Sequence, residues 1–192
     1  MSNFNSIERS LKGKTTEALA NLLFERGGYR VARLGIEELF REVKVLDSVQ
    51  YKALSLEPAL RSLPDLLVSD PSLTVAYQVE IKFRSKFDFP VRKLLADVID
   101  EQRVNWPKTY ILLFVGLSPQ GPKSKFFQNY VKVIPPEFCT TKMREFCKDS
   151  EFWMQLPTVQ EAFGVLEKND FEVDMLVPLL QKLKETTEDK DS

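Results

Sequence analysis

Between Leu73 and Arg84 the chain alternates without a break. Leu73, Val75, Tyr77, Val79, Ile81 and Phe83 hold the odd positions, and Thr74, Ala76, Gln78, Glu80, Lys82 and Arg84 hold the even ones. A period of two matches a strand, whose successive side chains point to opposite faces, and does not match the 3.6-residue repeat of a helix. The segment therefore commits the chain to a sheet. The same period sets Glu80 and Lys82 side by side on one face, with Cα atoms about 6.6–6.8 Å apart.

The flanking sequence supplies partners for that strand. In "LPDLLVSDP", Pro64 opens a short apolar run where its missing N–H is tolerated, and Asp70-Pro71-Ser72 is a turn signal. Residues 64–84 therefore read as a hairpin. Upstream, "KGKTTEALANLLFERGG" spaces Ala18, Leu19, Leu22 and Leu23 as a helix that Gly27 and Gly28 stop, and "YRVARLG" reads as a short strand. Residues 36–62 fit a helix or a strand with its approach equally well. Downstream, "VRKLLADVIDEQRVNW" predicts a helix with a stripe of Val91, Leu94, Leu95, Val98 and Ile99, ended by Pro107. "TYILLFVGL" predicts a strand buried on both faces, residues 118–125 a loop, and "YVKVIP" one more strand. Helices are expected over 156–167 and 173–185, before a charged tail expected to be disordered from about residue 186. The order is that of an α/β fold with helices packed on a central sheet, and the helical crossover predicts a parallel pairing with the strand that follows it.

Composition narrows the chemistry. With 192 residues, the chain suits one domain with a modest appendage. No run approaches the roughly 18 apolar residues that span a bilayer, and the N-terminus lacks a signal-peptide core, so a cytoplasmic protein without a membrane partner is expected. Two cysteines, Cys139 and Cys147, are too few for a disulfide framework and read as ordinary, often buried, thiols. Histidine is absent. That removes Ser-His-Asp hydrolases, Cys-His proteases, histidine-ligated zinc enzymes and every nuclease with a histidine base. Gly-rich phosphate loops are absent as well. Any chemistry must come from carboxylates, lysine, hydroxyls, thiols or a metal held by oxygen. The net charge of −1 gives no overall basic field, but Lys82, Arg84, Lys86, Arg92 and Lys93 cluster against Asp88 alone, and Lys123, Lys125 and Lys132 stand without an acid nearby in sequence. Each cluster is either a solvated face or a patch that meets phosphates.

Within the hairpin, pairing through the turn brings the Asp65 carboxylate toward that of Glu80. Two carboxylates so close repel each other unless a positive charge lies between them. Mg²⁺ answers that need, because it takes one or two carboxylates, some waters and substrate phosphate oxygens. A lysine beside it stabilises developing negative charge. The plain alternative is a half-exposed strand that points Glu80 and Lys82 at solvent.

Pro64-Asp65 followed by Glu80-Ile81-Lys82 resembles the PD-(D/E)xK nuclease superfamily, which includes many restriction endonucleases and Holliday-junction resolvases. The resemblance implies a restriction-endonuclease-like core of order αβββαβ, matched by residues about 12–117. It suggests a nuclease-like core over residues 1–135 and a helical C-terminal extension over 136–192. It also implies Mg²⁺ or Mn²⁺ held by Asp65, Glu80 and the main-chain carbonyl of Ile81, with Lys82 positioning or activating the water. Glu17, in "KTTEALANLL", matches a helical glutamate that supports the metal in family members, and Gln102 matches an accessory polar residue on the second core helix. Arg84, Lys86, Arg92 and Lys93 are expected on the DNA backbone, where they position rather than select. The implied activity is Mg²⁺-dependent hydrolysis of DNA phosphodiester bonds, RNA being chemically compatible too, and a homodimer is an arrangement that many family members use. The alternative is a catalytically silent module of the same fold that binds nucleic acid or a protein partner.

Overall fold

The computed structural model describes residues 2–120, 127–146 and 149–164. It is an α/β fold around a five-stranded mixed sheet of order β1-β2-β3-β4-β5, with β1 Arg30–Arg33, β2 Leu66–Ser69, β3 Ala76–Arg84, β4 Thr109–Val115 and β5 Val131–Ile134. The first three strands form an antiparallel meander, in which Arg33 pairs with Leu66 and Leu66 with Val79. The helix α5 (Phe89–Asn105) then crosses over, and β3 and β4 pair in parallel from Gln78–Thr109 to Arg84–Val115. A crossover helix between parallel neighbours is what the apolar run of β4 and the preceding helical stripe predict. β5 returns antiparallel to β4.

The strand expected from Leu73 starts at Ala76 instead. The Asp70 side chain explains the shift. It accepts from the Val75 N–H at 2.7 Å and from the Thr74 hydroxyl at 3.1 Å, while Leu73 adopts a left-handed conformation with φ of 58°. A side chain that bonds its own backbone a few residues on replaces ladder hydrogen bonds with turn hydrogen bonds.

The long first helix α1 (Ser2–Arg26) packs Leu19, Ala20, Leu23 and Phe24 on the face carrying the odd residues of β3. Gly28, with φ of 82°, makes the turn into β1. On the other face, α5 buries Arg92, Leu95, Ala96, Ile99 and Gln102. The buried stripe is rotated from the expected one. Leu94 and Val98 face outward, and the stripe runs through a charged residue at one end and an amide at the other.

Residues 36–62 are neither one helix nor a strand. They form short helical pieces, α2 (Ile36–Leu39), a 3₁₀ turn (Arg41–Val45), α3 (Ser48–Ala53) and α4 (Pro58–Arg61). Asp47 and Gln50 cap α3 reciprocally, and Pro58 opens α4. Trp106 Nε1 donates to the Ala59 carbonyl at 2.9 Å, which ties this insert to the end of α5.

Past β5, α6 (Thr140–Glu145) is held on α5 by Arg144, which donates to Asp97 Oδ1 at 2.9 Å and also reaches Asp100. In α7 (Ser150–Gln155), Phe152 and Trp153 join the core against Phe87. α8 (Val159–Phe163) seats Phe163 among Phe24, Tyr77 and Tyr110, with ring centroids 5.0–5.4 Å away. The helix expected over 156–167 is thus shorter, closed by Gly164 in a left-handed conformation. The helix expected over 173–185 and the tail from 186 lie outside the described residues, as does most of the 118–125 loop. Cys139 is an exposed free thiol rather than a buried one, and Cys147 lies outside the described residues. Among the described residues no helix is long and apolar enough to cross a membrane.

Candidate active site

Asp65 stands one residue before β2. Because Leu66 pairs with Val79, Asp65 comes opposite Glu80. Pro64, which has no N–H, ends the ladder at this point, and the Asp65 side chain takes over: its Oδ2 accepts from the Ile81 N–H at 2.7 Å. Its own carbonyl accepts from the Leu34 N–H at 2.9 Å, so β1 and β3 fix the residue from both sides. In an extended strand the N–H and C=O of one residue face the same neighbour. The Ile81 carbonyl therefore lies on the side of the Asp65 carboxylate.

Glu80 is 7% exposed. Its Oε1 pairs with the Lys82 ammonium, its neighbour on the same strand face, and its Oε2 accepts from Gln102 Nε2 of α5 at 2.9 Å. A buried carboxylate keeps its charge only with such donors. Burial, joined by the nearby Glu80 charge, pushes the Asp65 carboxyl from 3.8 up to about 8. The Ile81 N–H and the Lys82 ammonium pull it down, and Glu17 on α1 adds the weakest upward push. Asp65, Glu80, Lys82, the Ile81 main chain, Gln102 and, at longer range, Glu17 thus share one electrostatic neighbourhood. The plain alternative of a solvent-facing Glu80 does not hold.

The basic residues divide. Arg92 is 3% exposed; its Nη1 donates to the Phe87 carbonyl at 2.9 Å and its guanidinium lies 5.4 Å from the centre of the Phe87 ring. It holds the start of α5 against the core, which corrects the expectation of a backbone-contacting arginine. Arg84 is half-buried and donates to the adjacent Phe83 carbonyl at 2.7 Å, and burial lowers its pKa. Lys86 pairs with Asp88 at 2.7 Å on the surface. Lys93 is exposed on α5. In the second cluster Lys132 is buried within β5 near Glu161, and burial lowers its pKa, so it too serves the fold. Lys123 and Lys125 lie outside the described residues.

Glu80 and Lys82 form the floor of a cleft of about 650 Å³. One wall is the segment from Ser55 to Leu63, and the other is α5 with Val98, Glu101, Gln102 and Asn105. Arg61 and Asn105, which sequence reading did not single out, belong to this cleft. Their only signal was proximity in sequence to the α4 and α5 ends, since the insert carries no periodicity that would orient it.

No family model, no curated protein and no solved structure matches the chain.

The donor set fits a hard cation. It is all oxygen, with two carboxylates and a carbonyl, and Mg²⁺ asks for no more than one or two carboxylates from the protein. Burial first and the Glu80 charge second raise the pKa of Asp65, and a bound cation would oppose both by favouring the ionised carboxylate. Among the described residues no three acidic or thiol side chains are gathered closely enough to hold a metal ion together, so Glu17 does not complete a three-acid group with Asp65 and Glu80.

Proposed function

We propose that this chain is a divalent-cation-dependent nuclease that hydrolyses DNA phosphodiester bonds. The observation that carries the reading is the meeting of Asp65 and Glu80 across the β2–β3 pairing, with Lys82 on Glu80. The succession of α1, three antiparallel strands, a crossover helix and a parallel strand follows the αβββαβ order that the PD-(D/E)xK resemblance implies, so the restriction-endonuclease-like core is proposed together with the activity.

Asp65, Glu80 and the Ile81 carbonyl would hold Mg²⁺ or Mn²⁺. When bound, the ion supplies Lewis-acid stabilisation of charge at the scissile phosphate. Lys82 brings an ammonium to the floor of the cleft, where it stabilises negative charge on the phosphate and orients the attacking water. Gln102 fixes the rotamer of Glu80, and Glu17 adds negative charge at the edge of the site. Lys86 and Lys93 are the cations of the first basic cluster that stand exposed at the surface, where they could meet a DNA backbone.

A nicking assay on supercoiled, branched and single-stranded DNA tests the reading. Cutting is expected with Mg²⁺ or Mn²⁺ and is expected to stop with chelator and in Lys82→Ala. A protein that cuts none of these substrates, or whose cutting survives Lys82→Ala, overturns it. A second reading, a silent module that binds without cutting, draws on one observation: both Glu80 oxygens already have protein partners in Lys82 and Gln102. Binding without cleavage across the same panel favours that reading.

A further inference from the structure

The cleft above Glu80 and Lys82 is small and tied shut at one end. Its volume of about 650 Å³ is that of a small-molecule pocket. Asn105 Nδ2 donates to Ser62 Oγ at 3.2 Å, and the Trp106–Ala59 hydrogen bond lies beside it, so the insert and α5 are joined where the slot ends. A base in intact duplex is stacked and paired and cannot enter such a pocket without first being flipped out. An unpaired strand can, because one nucleotide enters with its base between the walls and its phosphate at Lys82.

The lining suits such a nucleotide. Leu56 and Val98 offer apolar surface to a base face, and Glu101 and Asn105 offer an acceptor and a donor to a base edge. Arg61 sits exposed at the rim with its guanidinium 5.9 Å from the centre of the Tyr51 ring. Its Nη2 lies 3.5 Å from the Lys52 carbonyl, a long hydrogen bond that is readily exchanged for a phosphate.

We propose that this cleft receives an unpaired nucleotide of a DNA strand next to the scissile phosphate, with Arg61 on the adjoining phosphate. The inference rests on the nuclease reading above and gives its substrate class as single-stranded or frayed DNA. The insert of residues 36–62 is then the element that excludes intact duplex.

Fluorescence anisotropy tests it, with a labelled oligothymidylate and a labelled blunt duplex of equal length, in chelator and at fixed salt. The single strand is expected to bind about tenfold or more tightly than the duplex. Arg61→Glu and Val98→Trp, which fills the slot from a partly exposed position, are each expected to weaken single-strand binding about tenfold without moving the thermal midpoint. Equal affinity for the two DNAs, or single-strand binding untouched by both variants, overturns the inference. The Mg²⁺ nicking assay separates the two readings. Cutting that Arg61→Glu and Val98→Trp leave unchanged defeats the cleft assignment and keeps the nuclease. Variant-sensitive single-strand binding with no cutting of any substrate keeps the cleft and defeats the nuclease.

Discussion

Gln102 of α5 donates to Glu80 of β3 at 2.9 Å across a sequence separation of 22 residues. The bond joins the crossover helix to the strand it leaves, and it fixes the carboxylate that faces Asp65. Removing the amide leaves a buried carboxylate oxygen short of a donor, so Gln102→Leu is expected to cost about 1–3 kcal/mol of stability. Loss of a side chain that holds a ligand typically costs about 10–100-fold in activity or metal affinity, so Mg²⁺-dependent nicking should fall by that factor. Gln102→Glu should be worse on both counts, since it sets a like charge against Glu80. Urea unfolding and the nicking rate, measured together, check this; unchanged values in both variants refute it.

Asp65 makes the metal-free protein sensitive to pH. Its carboxyl titrates near 3.8 when unfolded and at about 8 in the fold, so the folded chain holds an extra proton between those values. The Asp65 contribution to stability is therefore full below 3.8 and is lost as pH rises through about 8. Thermal midpoints in chelator should decline over that window in the wild type and stay flatter in Asp65→Asn. Added Mg²⁺ at the upper end should restore the wild type and leave Asp65→Asn unmoved. A flat wild-type profile would count against the burial of this acid.

Arg92 and Lys93 are neighbours in sequence with opposite expected phenotypes. Arg92 is buried on Phe87, so Arg92→Ala should destabilise the protein by about 2 kcal/mol. Lys93 is exposed, so Lys93→Glu should leave the midpoint in place and weaken DNA binding, with a shallower salt dependence. Thermal unfolding and binding titrations at several salt concentrations would show the reverse pattern if the assignment is wrong.

Asp70 contributes in the acid range. Hydrogen bonds from Ser72 and from the Val75 backbone hold its carboxyl down at about 2. Its stabilisation is present above 3.8 and is lost as pH falls toward about 2. Asp70→Ala should lower the midpoint at neutral pH and lose less than the wild type on acidification through that range. Parallel acid profiles for the two proteins would refute the role of this turn.

The order of elements and the helical crossover were legible because β3 alternates, β4 is an unbroken apolar run and α5 carries a helical repeat. Asp65, Glu80 and Lys82 were legible because pairing register follows from one turn and a two-residue repeat. The insert was not, because segments of four to six residues complete fewer than two helical turns and leave no periodicity to read. Arg92 was misread for a related reason. Arg92, Leu95, Ala96, Ile99 and Gln102 make a regular helical stripe, but two of its members are polar, and a hydrophobicity pattern shifts the stripe onto Leu94 and Val98. Sequence charge alone did not show that Lys132 lies within a strand whose four residues are all buried.

The parallel ladder between β3 and β4 has a bearing on synthesis. A nascent chain stopped before Thr109 already contains Asp65, Glu80, Lys82 and Gln102, yet it lacks the strand against which β3 is seated. Sequence-distant pairing of this kind forms late, because a long loop must close before any contact rewards it. On the proposed nuclease reading, a ribosome-bound fragment would carry every candidate catalytic group without the strand that seats them, and any cutting would wait until the fourth strand has emerged.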